Sequence, residues 1–230
     1  MGKKMSWDKN WEKIFQNKEW GKYPAEDLIR FVARNFYKYK KRNKIKILEI
    51  GCGTGSNLWF IAREGFCVYG IDGSKTAIDI AKKRLDNEVP NWVGDLKVGD
   101  IIKLPYEDEI FDAVIDNEAV THNSFENSKK IYSEALRVLI PGGKLFSRTF
   151  ATGSWGENTG TKINENEWIP SEGPMSLGEF LRLTPYNLIE KLFGEFKINE
   201  IEKLTRTSNQ MEKEIIEWLI ICEKKSILKK

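Results

Sequence analysis

The stretch ILEIGCGTGSN, residues Ile47 to Asn57, decides the fold of this chain. Its apolar first half is typical of a buried strand, and glycines then stand at alternate positions, Gly51, Gly53 and Gly55. Such a turn between a strand and a helix lets a ligand approach the backbone closely. Two ligands remain open: a dinucleotide pyrophosphate, which needs GxGxxG, or a nucleoside without a pyrophosphate. Ser56 stands where the third glycine of the phosphate motif would be.

Length and composition indicate one α/β domain. A chain of 230 residues is long enough for one sizeable core. Lys and Arg number 37 against 34 Asp and Glu, so a net charge of +3 gives no strong attraction to nucleic acid. The apolar runs are far shorter than the roughly 20 residues of a membrane-spanning helix. The three cysteines form no CxxC pair, so we expect no metal site. Their odd number fits a reducing, cytoplasmic location.

Strand and helix patterns alternate from Ile45 to Phe150. This alternation predicts a parallel sheet with helices on both faces. The predicted strands are Ile45–Ile50, Cys67–Ile71, Leu96–Gly99, Phe111–Ile115 and Lys144–Phe150.

Two further strands, Phe196–Leu204 and Glu217–Cys222, follow with no helix between them, which predicts antiparallel pairing. The last strand is apolar on both faces, whereas the one before it carries many charges. We therefore expect the last strand inside the sheet and its predecessor at the edge.

The chain divides into four segments within a single domain. We expect an N-terminal helical and aromatic cap at 1–43, a ligand-binding core at 45–150, an insertion at 151–184 that covers the substrate, and a closing helix with the antiparallel strand pair at 185–230. The cap and the insertion are the segments long enough to cover a ligand.

Polar side chains gather where the parallel strands end. The carboxyl ends carry Glu49, Asp72, Asp100, Asp116 with Asn117, and Arg148. Ligands of open parallel sheets bind at this edge. Carboxylates here would repel a pyrophosphate and hold a cation or a ligand rich in hydroxyl and amine donors.

Four motifs in order resemble the class I S-adenosylmethionine-dependent methyltransferases, in the small-molecule branch that includes quinone-biosynthesis enzymes. They are ILEIGCGTGSN, then GIDGS at Gly70–Ser74, VGDIIKLPYEDEIFDAVID at Val98–Asp116, and EALRVLIPGGKL at Glu134–Leu145. The resemblance implies a Rossmann-like sheet of seven mostly parallel strands whose last strand is antiparallel. It also implies S-adenosylmethionine as cofactor and S-adenosylhomocysteine as product.

The resemblance assigns cofactor contacts residue by residue. It implies contacts from Glu49, Gly51, Cys52, Gly53, Asn57, Asp72, Gly73, Asp100, Ile101 and Asn117. Within this set Asp72 would bind the ribose hydroxyls, Asp100 and Ile101 the adenine, and Asn57 the cofactor carboxylate. Tyr23, in the aromatic lead, is a further candidate for a cofactor contact.

Candidate residues for the acceptor side are fewer. His122, the only histidine, follows the fourth strand and is either a general base or a loop histidine bonded to backbone. Arg148 would pair an acidic group on a substrate, or lie as a surface charge. Trp155 and Trp168 would contact the substrate, or form a satellite hydrophobic cluster.

The predicted function is methyl transfer to an oxygen or nitrogen of a small polar metabolite, for example a sugar or amino sugar. The polar, Gly-rich insertion favours such an acceptor over a lipid quinone. Alternatives are a non-catalytic S-adenosylmethionine sensor, a nucleic-acid methyltransferase and a nicotinamide oxidoreductase. The adenine-amino type of nucleic-acid enzyme has an Asn-Pro-Pro-Tyr-like motif after the fourth strand, where this chain reads Asp116-Asn117-Glu118-Ala119. The oligomeric state is left open.

Overall fold

The chain builds a seven-stranded sheet, seen in a computed structural model that describes residues 7–177 and 179–226. The predicted terminal segments thus begin and end outside the described residues. The helices are α1 (Asn10–Asn17), α2 (Glu26–Phe36), α3 (Ser56–Arg63), α4 (Lys75–Glu88), α5 (Phe125–Val138) and α6 (Ile189–Phe193). The main-sheet strands are β1 (Lys46–Ile50), β2 (Cys67–Asp72), β3 (Val93–Val98), β4 (Phe111–Asn117), β5 (Leu139–Phe150), β10 (Lys197–Ser208) and β11 (Lys213–Glu223). In the insertion lie β6 (Trp155–Asn158), β7 (Thr161–Asn164), β8 (Glu167–Ile169) and β9 (Leu181–Arg182).

The strand order is β10-β11-β5-β4-β1-β2-β3. β1 pairs in parallel with both β2 and β4, so the chain reverses its direction of growth between β1 and β4. β11 is antiparallel to β5 and β10 and lies between them. This arrangement confirms the predicted fold class and the predicted place of the last two strands. Its physical cause is burial, since β11 buries residues on both faces whereas β10 buries none.

Apolar side chains pack against both faces of the sheet. Ile47 on β1 packs with α2, α3 and α4 on one face, and its neighbour Leu48 packs with α5 and α6 on the other. This alternation follows from the period of two in a strand. Within the described ranges no helix combines the length and the apolar character needed to cross a membrane.

Some element boundaries differ from the sequence-based prediction. β3 begins at Val93, three residues before the predicted start, and β5 begins at Leu139, five residues before the predicted Lys144, so Pro141, Gly142 and Gly143 lie within a strand. The glycines keep their strand contacts because they pair with the chain after β11. Gly142 N–H donates to the carbonyl of Lys224 at 2.9 Å, and Lys224 N–H donates to the carbonyl of Gly143 at 2.9 Å.

The insertion after β5 forms a small antiparallel sheet of order β7-β8-β9. An isolated bridge between Ala151 and Thr184 brings its two ends together beside the main sheet. The small sheet has a core of its own, composed of Phe150, Trp168, Met175, Leu181 and Leu183. The insertion therefore forms a small sheet that packs beside the carboxyl end of β5.

Candidate functional site

A cleft opens at the carboxyl ends of β1, β2 and β4, where the direction of sheet growth reverses. It contains about 1020 Å³ of atom-free space, its open mouth included. Ten predicted site residues line it: Glu49, Gly51, Cys52, Gly53, Asn57, Asp72, Gly73, Ile101, Asn117 and His122.

The glycine turn after β1 needs glycine for two reasons. Gly51, Gly53 and Gly55 have φ of 67°, 49° and 80°, a region that L side chains rarely adopt. A Cβ at Gly51 would lie 2.3 Å from the Cβ of Ala119, which leaves no room for a side chain. A Cβ at Gly53 would stand 3.4 Å from the ring of Phe15, which also lines the cleft. The turn thus exposes backbone to a ligand.

Glu49 places a buried carboxyl group at the base of the cleft. Its Oε1 accepts a 2.6 Å hydrogen bond from Nδ2 of Asn57, and its Oε2 has no partner among the described residues. Burial, and next the nearby carboxylates of Asp72 and Asp116, raises the pKa of Glu49 to about 8, against the lowering effect of Asn57. Asn57 lines the cleft, but its amide already holds Glu49.

Asp72, at the end of β2, fixes the shape of the turn. Its Oδ2 accepts from the backbone N–H of Gly53 and its Oδ1 from that of Ser74, both at 2.8 Å. Burial raises the pKa of Asp72, and these two amide bonds oppose the rise. Each carboxylate oxygen has a second lone pair. A ligand hydroxyl can therefore still donate to Asp72.

The far wall of the cleft is set by the ends of β3 and β4. The Ile101 side chain lines it and is buried. Asp100 lies outside the lining residues, and its Oδ1 accepts from the N–H of Ile102 at 3.1 Å. Asn117 lines the cleft with a buried Oδ1 that has no partner among the described residues.

His122 lies in a short 3₁₀ turn, Val120–His122, at the mouth of the cleft. Its Nδ1 lies 2.8 Å from the carbonyl oxygen of Phe180, which can only accept a hydrogen bond. Nδ1 therefore carries the proton and Nε2 carries the lone pair. Burial, and next the cation of Arg182, lowers the pKa of His122 to about 4, against the raising effect of the Phe180 carbonyl.

The insertion holds His122 in place. Besides the Phe180 contact, Thr121 Oγ1 donates to the carbonyl of Arg182 at 2.7 Å. In return, Nε of Arg182 donates to the carbonyl of Asn123 at 3.2 Å. Three hydrogen bonds thus join residues 180 and 182 of the insertion to residues 121–123, which include the histidine.

An aromatic wall closes the cleft on the N-terminal side, and the sequence-based site did not include it. It consists of Trp7, Trp11, Phe15 and Trp20. Trp11 contacts His122 with ring centroids 5.0 Å apart. The spacing of four between Trp7, Trp11 and Phe15 is the sequence signal, since it predicts one helix face. Asp8, Glu118, Asn123 and Met175 also line the cleft without having been predicted.

Four other predicted residues lie outside the lining of the cleft. Tyr23 is 73% exposed and packs edge-on against Trp59. Arg148 is buried, neither a surface charge nor a cleft residue, and its guanidinium pairs Glu217 at 2.6 Å and Glu118 at 3.0 Å. Trp155 donates to Glu172 at 3.3 Å, and Trp168 belongs to the core of the small sheet.

The cleft fits the cofactor that the sequence resemblance implies. Glu49 Oε2 and Asn117 Oδ1 are buried acceptor atoms that lack partners in the described chain, as an amine- and hydroxyl-bearing ligand requires. The turn at Gly53 leaves space that a side chain would fill. No Lys or Arg stands among the described lining residues, which argues against a pyrophosphate ligand.

Comparison with known proteins agrees with this chemistry. Residues 48–147 match the methyltransferase domain family. A demethylmenaquinone methyltransferase of Tropheryma whipplei is 36% identical over 100 residues, which cover 44% of this chain and 39% of that protein. A malonyl-[acyl-carrier protein] O-methyltransferase of Priestia megaterium is 27% identical over 191 residues, which cover 78% of this chain and 65% of that protein.

The fold comparison covers more of the chain. A crystal structure of an S-adenosylmethionine-dependent methyltransferase from Methanosarcina mazei superposes with a TM-score of 0.67 at 20% identity. The match covers 89% of this chain and all of that one. The chain spans 36%, 65% and 41% of the length of the first three curated relatives it matches. Together, the methyltransferase domain at residues 48–147 and the shared fold support a class I S-adenosylmethionine-dependent methyltransferase.

Proposed function

We propose that this chain transfers the methyl group of S-adenosylmethionine to an oxygen or nitrogen of a small polar molecule. One observation carries the proposal. The acidic cleft lies beside the glycine turn, where the strand order reverses between β1 and β4, and at its base a buried Glu49 oxygen has no partner among the described residues. A positively charged amine is the natural partner for that oxygen. The amino acid tail of the cofactor supplies one.

This chain's residues would bind and orient the cofactor. Glu49 would accept a hydrogen bond from the amine, with Asn57 keeping the carboxyl group in position. Asp72 would accept from the ribose hydroxyls, Ile101 would pack against the adenine, and the backbone of Gly51, Cys52 and Gly53 would lie against the methionine part. When bound, S-adenosylmethionine supplies a methyl group on an electron-poor sulfur.

Methyl transfer requires mainly that the acceptor atom is aligned with the methyl group and that water is excluded. The aromatic wall and the insertion cover the cleft from two sides. His122 is poised to take a proton from an accepting hydroxyl or amine, because its Nε2 lone pair is free of the proton held at Nδ1. Its low pKa keeps the imidazole neutral at physiological pH.

The relatives leave the acceptor open. The two curated relatives are named for different acceptors, demethylmenaquinone and malonyl-[acyl-carrier protein]. A sugar or amino sugar fits a cleft lined by carboxylates and tryptophans. A nucleic acid does not fit well, since the described lining residues offer no cation to a phosphate backbone.

The proposal is tested by calorimetry on the purified chain with S-adenosylhomocysteine and, separately, with NAD. We expect binding of the first in the micromolar range or tighter, about −8 kcal/mol, and none of the second. Binding of NAD alone would overturn the proposal. If S-adenosylmethionine binds but a broad panel of hydroxyl and amine acceptors yields no S-adenosylhomocysteine, the chain is a sensor instead of an enzyme.

A further inference from the structure

The cleft extends beyond the residues that would hold the cofactor. We call this part the acceptor compartment and define it by Asp8, Trp11, Trp20, His122, Asn123 and Met175. Its members come from the N-terminal lead, from the loop after β4 and from the insertion. Trp11 links them, since it contacts both Trp20 and His122 and packs against the small-sheet core that includes Met175.

The acceptor compartment has uncompensated negative charge. Of the four carboxylates on the cleft lining, Glu49 and Asp72 lie on the cofactor side, and Glu118 is paired with Arg148 at 3.0 Å. Asp8 forms no ion pair among the described residues, and its Oδ1 accepts a hydrogen bond from the N–H of Asn10 at 2.9 Å. Behind it, Glu179 is buried with an Oε2 that lacks a partner in the described chain. Burial, and next a hydrogen bond with Asp8, raises the pKa of Glu179 to about 7.

A second observation is independent of these acids. Asn123 is 5% exposed, lines the cleft, and has an Oδ1 without a partner among the described residues. The three partnerless polar side-chain atoms on the lining belong to Glu49, Asn117 and Asn123, and all are hydrogen-bond acceptors. An acceptor atom buried in this way requires a donor. Within the compartment, Asn123 Oδ1 is therefore suited to a ligand that brings a hydrogen-bond donor, N–H or O–H.

The rings of Trp11 and Trp20 contact each other and Phe15, and Trp11 also contacts His122. In the described chain, Lys and Arg side chains lie over the rings of Trp59, Trp92 and Trp168. None lies over Trp11 or Trp20. An ammonium group within about 6 Å of a tryptophan face gains roughly 0.5 to 2 kcal/mol. The flat rings also offer a surface to the apolar body of a ligand.

We propose that the methyl acceptor is a protonatable amine with a flat or apolar face, held by Asp8 and Asn123 against Trp11 and methylated on its nitrogen. This inference rests on the proposed function, because it names the substrate class of the same site. A planar aromatic amine and an amino sugar share this chemistry, and they differ in the face they offer to the tryptophans.

The transfer balances with the groups present. The ammonium form of the acceptor gives one proton to a carboxylate of the Asp8–Glu179 pair. The freed nitrogen lone pair forms the new bond to the methyl carbon. The bond from that carbon to sulfur breaks, and its electron pair stays on the sulfur. The products are neutral S-adenosylhomocysteine and the methylated ammonium ion, which carries the positive charge that the sulfur had, and one proton is held by the protein.

Matched ligands show whether binding depends on the charge of the acceptor or on its shape. Tryptamine, tryptophol and indole-3-acetate share one ring and differ in an amine, hydroxyl or carboxylate tail; glucosamine and glucose form the second pair. Binding is measured by calorimetry with S-adenosylhomocysteine saturating. We expect at least one amine to bind about tenfold or more tightly than its uncharged partner, a difference of about 1.4 kcal/mol, and indole-3-acetate to bind worst.

Variants locate the binding. Trp11→Ala and Asn123→Leu should each weaken the preferred amine about tenfold, whereas Trp155→Ala, which changes a tryptophan outside the cleft, should leave it unchanged. Incubation with S-adenosylmethionine should add one methyl group to the nitrogen of the preferred amine. Preference for tryptamine indicates an aromatic acceptor, and preference for glucosamine indicates an amino sugar.

Three results would overturn the inference: equal binding of amines and alcohols, preference for the carboxylate, or no binding of either amine at about 10 mM, weaker than roughly −3 kcal/mol. A failure of the proposed function looks different, because S-adenosylhomocysteine itself would then not bind. Retained S-adenosylhomocysteine binding with no amine preference therefore removes the substrate class alone.

Discussion

Burial governs the charge of two titratable side chains in the cleft, Glu49 and His122. Both are neutral in the folded chain over the pH range where they would ordinarily be charged, because burial penalises the charged form. Glu49 has its pKa raised to about 8, and His122 has its pKa lowered to about 4. A ligand whose binding makes either side chain charged must therefore remove a proton from Glu49 or add one to His122.

Glu49→Gln should abolish a proton release that accompanies cofactor binding. At pH 7 the free protein holds Glu49 protonated, and an amine placed at Oε2 favours the carboxylate, so binding releases a proton. Loss of a charge-assisted hydrogen bond costs about 1.5 to 3 kcal/mol, a 10- to 150-fold drop in affinity for S-adenosylhomocysteine. Calorimetry in two buffers of different ionisation enthalpy measures both effects.

Stability gives a separate check on Glu49. Its pKa is raised in the folded state, so its contribution is complete below about pH 4.5 and is lost as pH rises through 8. Compared with Glu49→Gln, the wild type should therefore lose melting temperature across this window. Glu107→Gln, which removes an exposed carboxylate outside the cleft, serves as control. Identical pH profiles for wild type and Glu49→Gln would contradict the assignment.

His122→Ala should lower the rate of methyl transfer about 10²-fold or more, while affinity for S-adenosylhomocysteine changes little. The lowered pKa means that the folded state resists protonation of the ring, so the stability it contributes is present above pH 6.5 and lost as pH falls through 4. Turnover should accordingly show no loss between pH 7 and 6 that depends on His122. Unchanged turnover in the variant would remove His122 from the mechanism.

At the residue scale, the ion-pair partner of Arg148 could not be predicted from the sequence. Its place at the end of a strand is visible in the sequence, but its partner Glu217 lies 69 residues later on the strand that inserts beside β5. The pairing depends on tertiary structure, so spacing along the chain carries no sign of it. Glu49, Asp72 and Asn117 were predictable because their position follows directly from the strand ends.

At the scale of elements, α1 forms one side of the cleft through its attachment to α4. Ser74 caps the N-terminus of α4, its Oγ accepting from the N–H of Ala77 at 3.0 Å. The same hydroxyl donates to Oε2 of Glu12 at 2.5 Å, and Thr76 Oγ1 donates to Oε1 of Glu12 at 2.6 Å. These bonds lower the pKa of Glu12, so its carboxylate remains charged and holds α1 near the cofactor side of the cleft.

Glu12→Ala should loosen α1 and weaken cofactor binding. Two hydroxyl bonds to a partly exposed carboxylate contribute about 1 to 2 kcal/mol, so we expect a 5- to 30-fold loss of affinity for S-adenosylhomocysteine and faster hydrogen exchange in α1. Lys13→Ala changes the exposed neighbour on the same helix and should have no such effect. If both variants bind alike, α1 does not support the cofactor side.

The small sheet of the insertion marks the limit of reading elements from sequence. β7 has four exposed residues, and β9 has only two residues. Strands this short and polar show no run of apolar residues, which is the signal that identified β1. Their positions come from contacts with the main sheet, such as the bonds of β9 to the His122 turn. The sequence therefore predicted an insertion but not its structure.

At the scale of the whole molecule, the insertion of β11 between β5 and β10 connects this end of the sheet to the loop that lines the cleft. Arg148 on β5 and Glu217 on β11 pair across this junction with two bonds of 2.8 and 2.6 Å. Glu118 on the cleft lining and Arg206 on β10 join the same group of charges. The ion-pair network thus ties three adjacent strands to the loop that follows β4.

Glu217→Gln should destabilise the whole fold rather than the site alone. Glu217 is fully buried, and its loss leaves the Arg148 cation with Glu118 as its remaining acid. Breaking a buried pair in this way costs about 3 to 5 kcal/mol. At about 2 to 4 °C per kcal/mol for a domain of this size, the melting temperature should fall by roughly 6 to 20 °C.

The control for Glu217→Gln lies on the same strand. Glu214 is an exposed residue of β11, so Glu214→Gln changes the charge equally without touching the network and should shift melting by little. Because Glu118 joins the network to the cleft, saturating S-adenosylhomocysteine should raise the melting temperature of the Glu217 variant less than that of the wild type. Equal melting temperatures for the two variants would show that the fold does not depend on this junction.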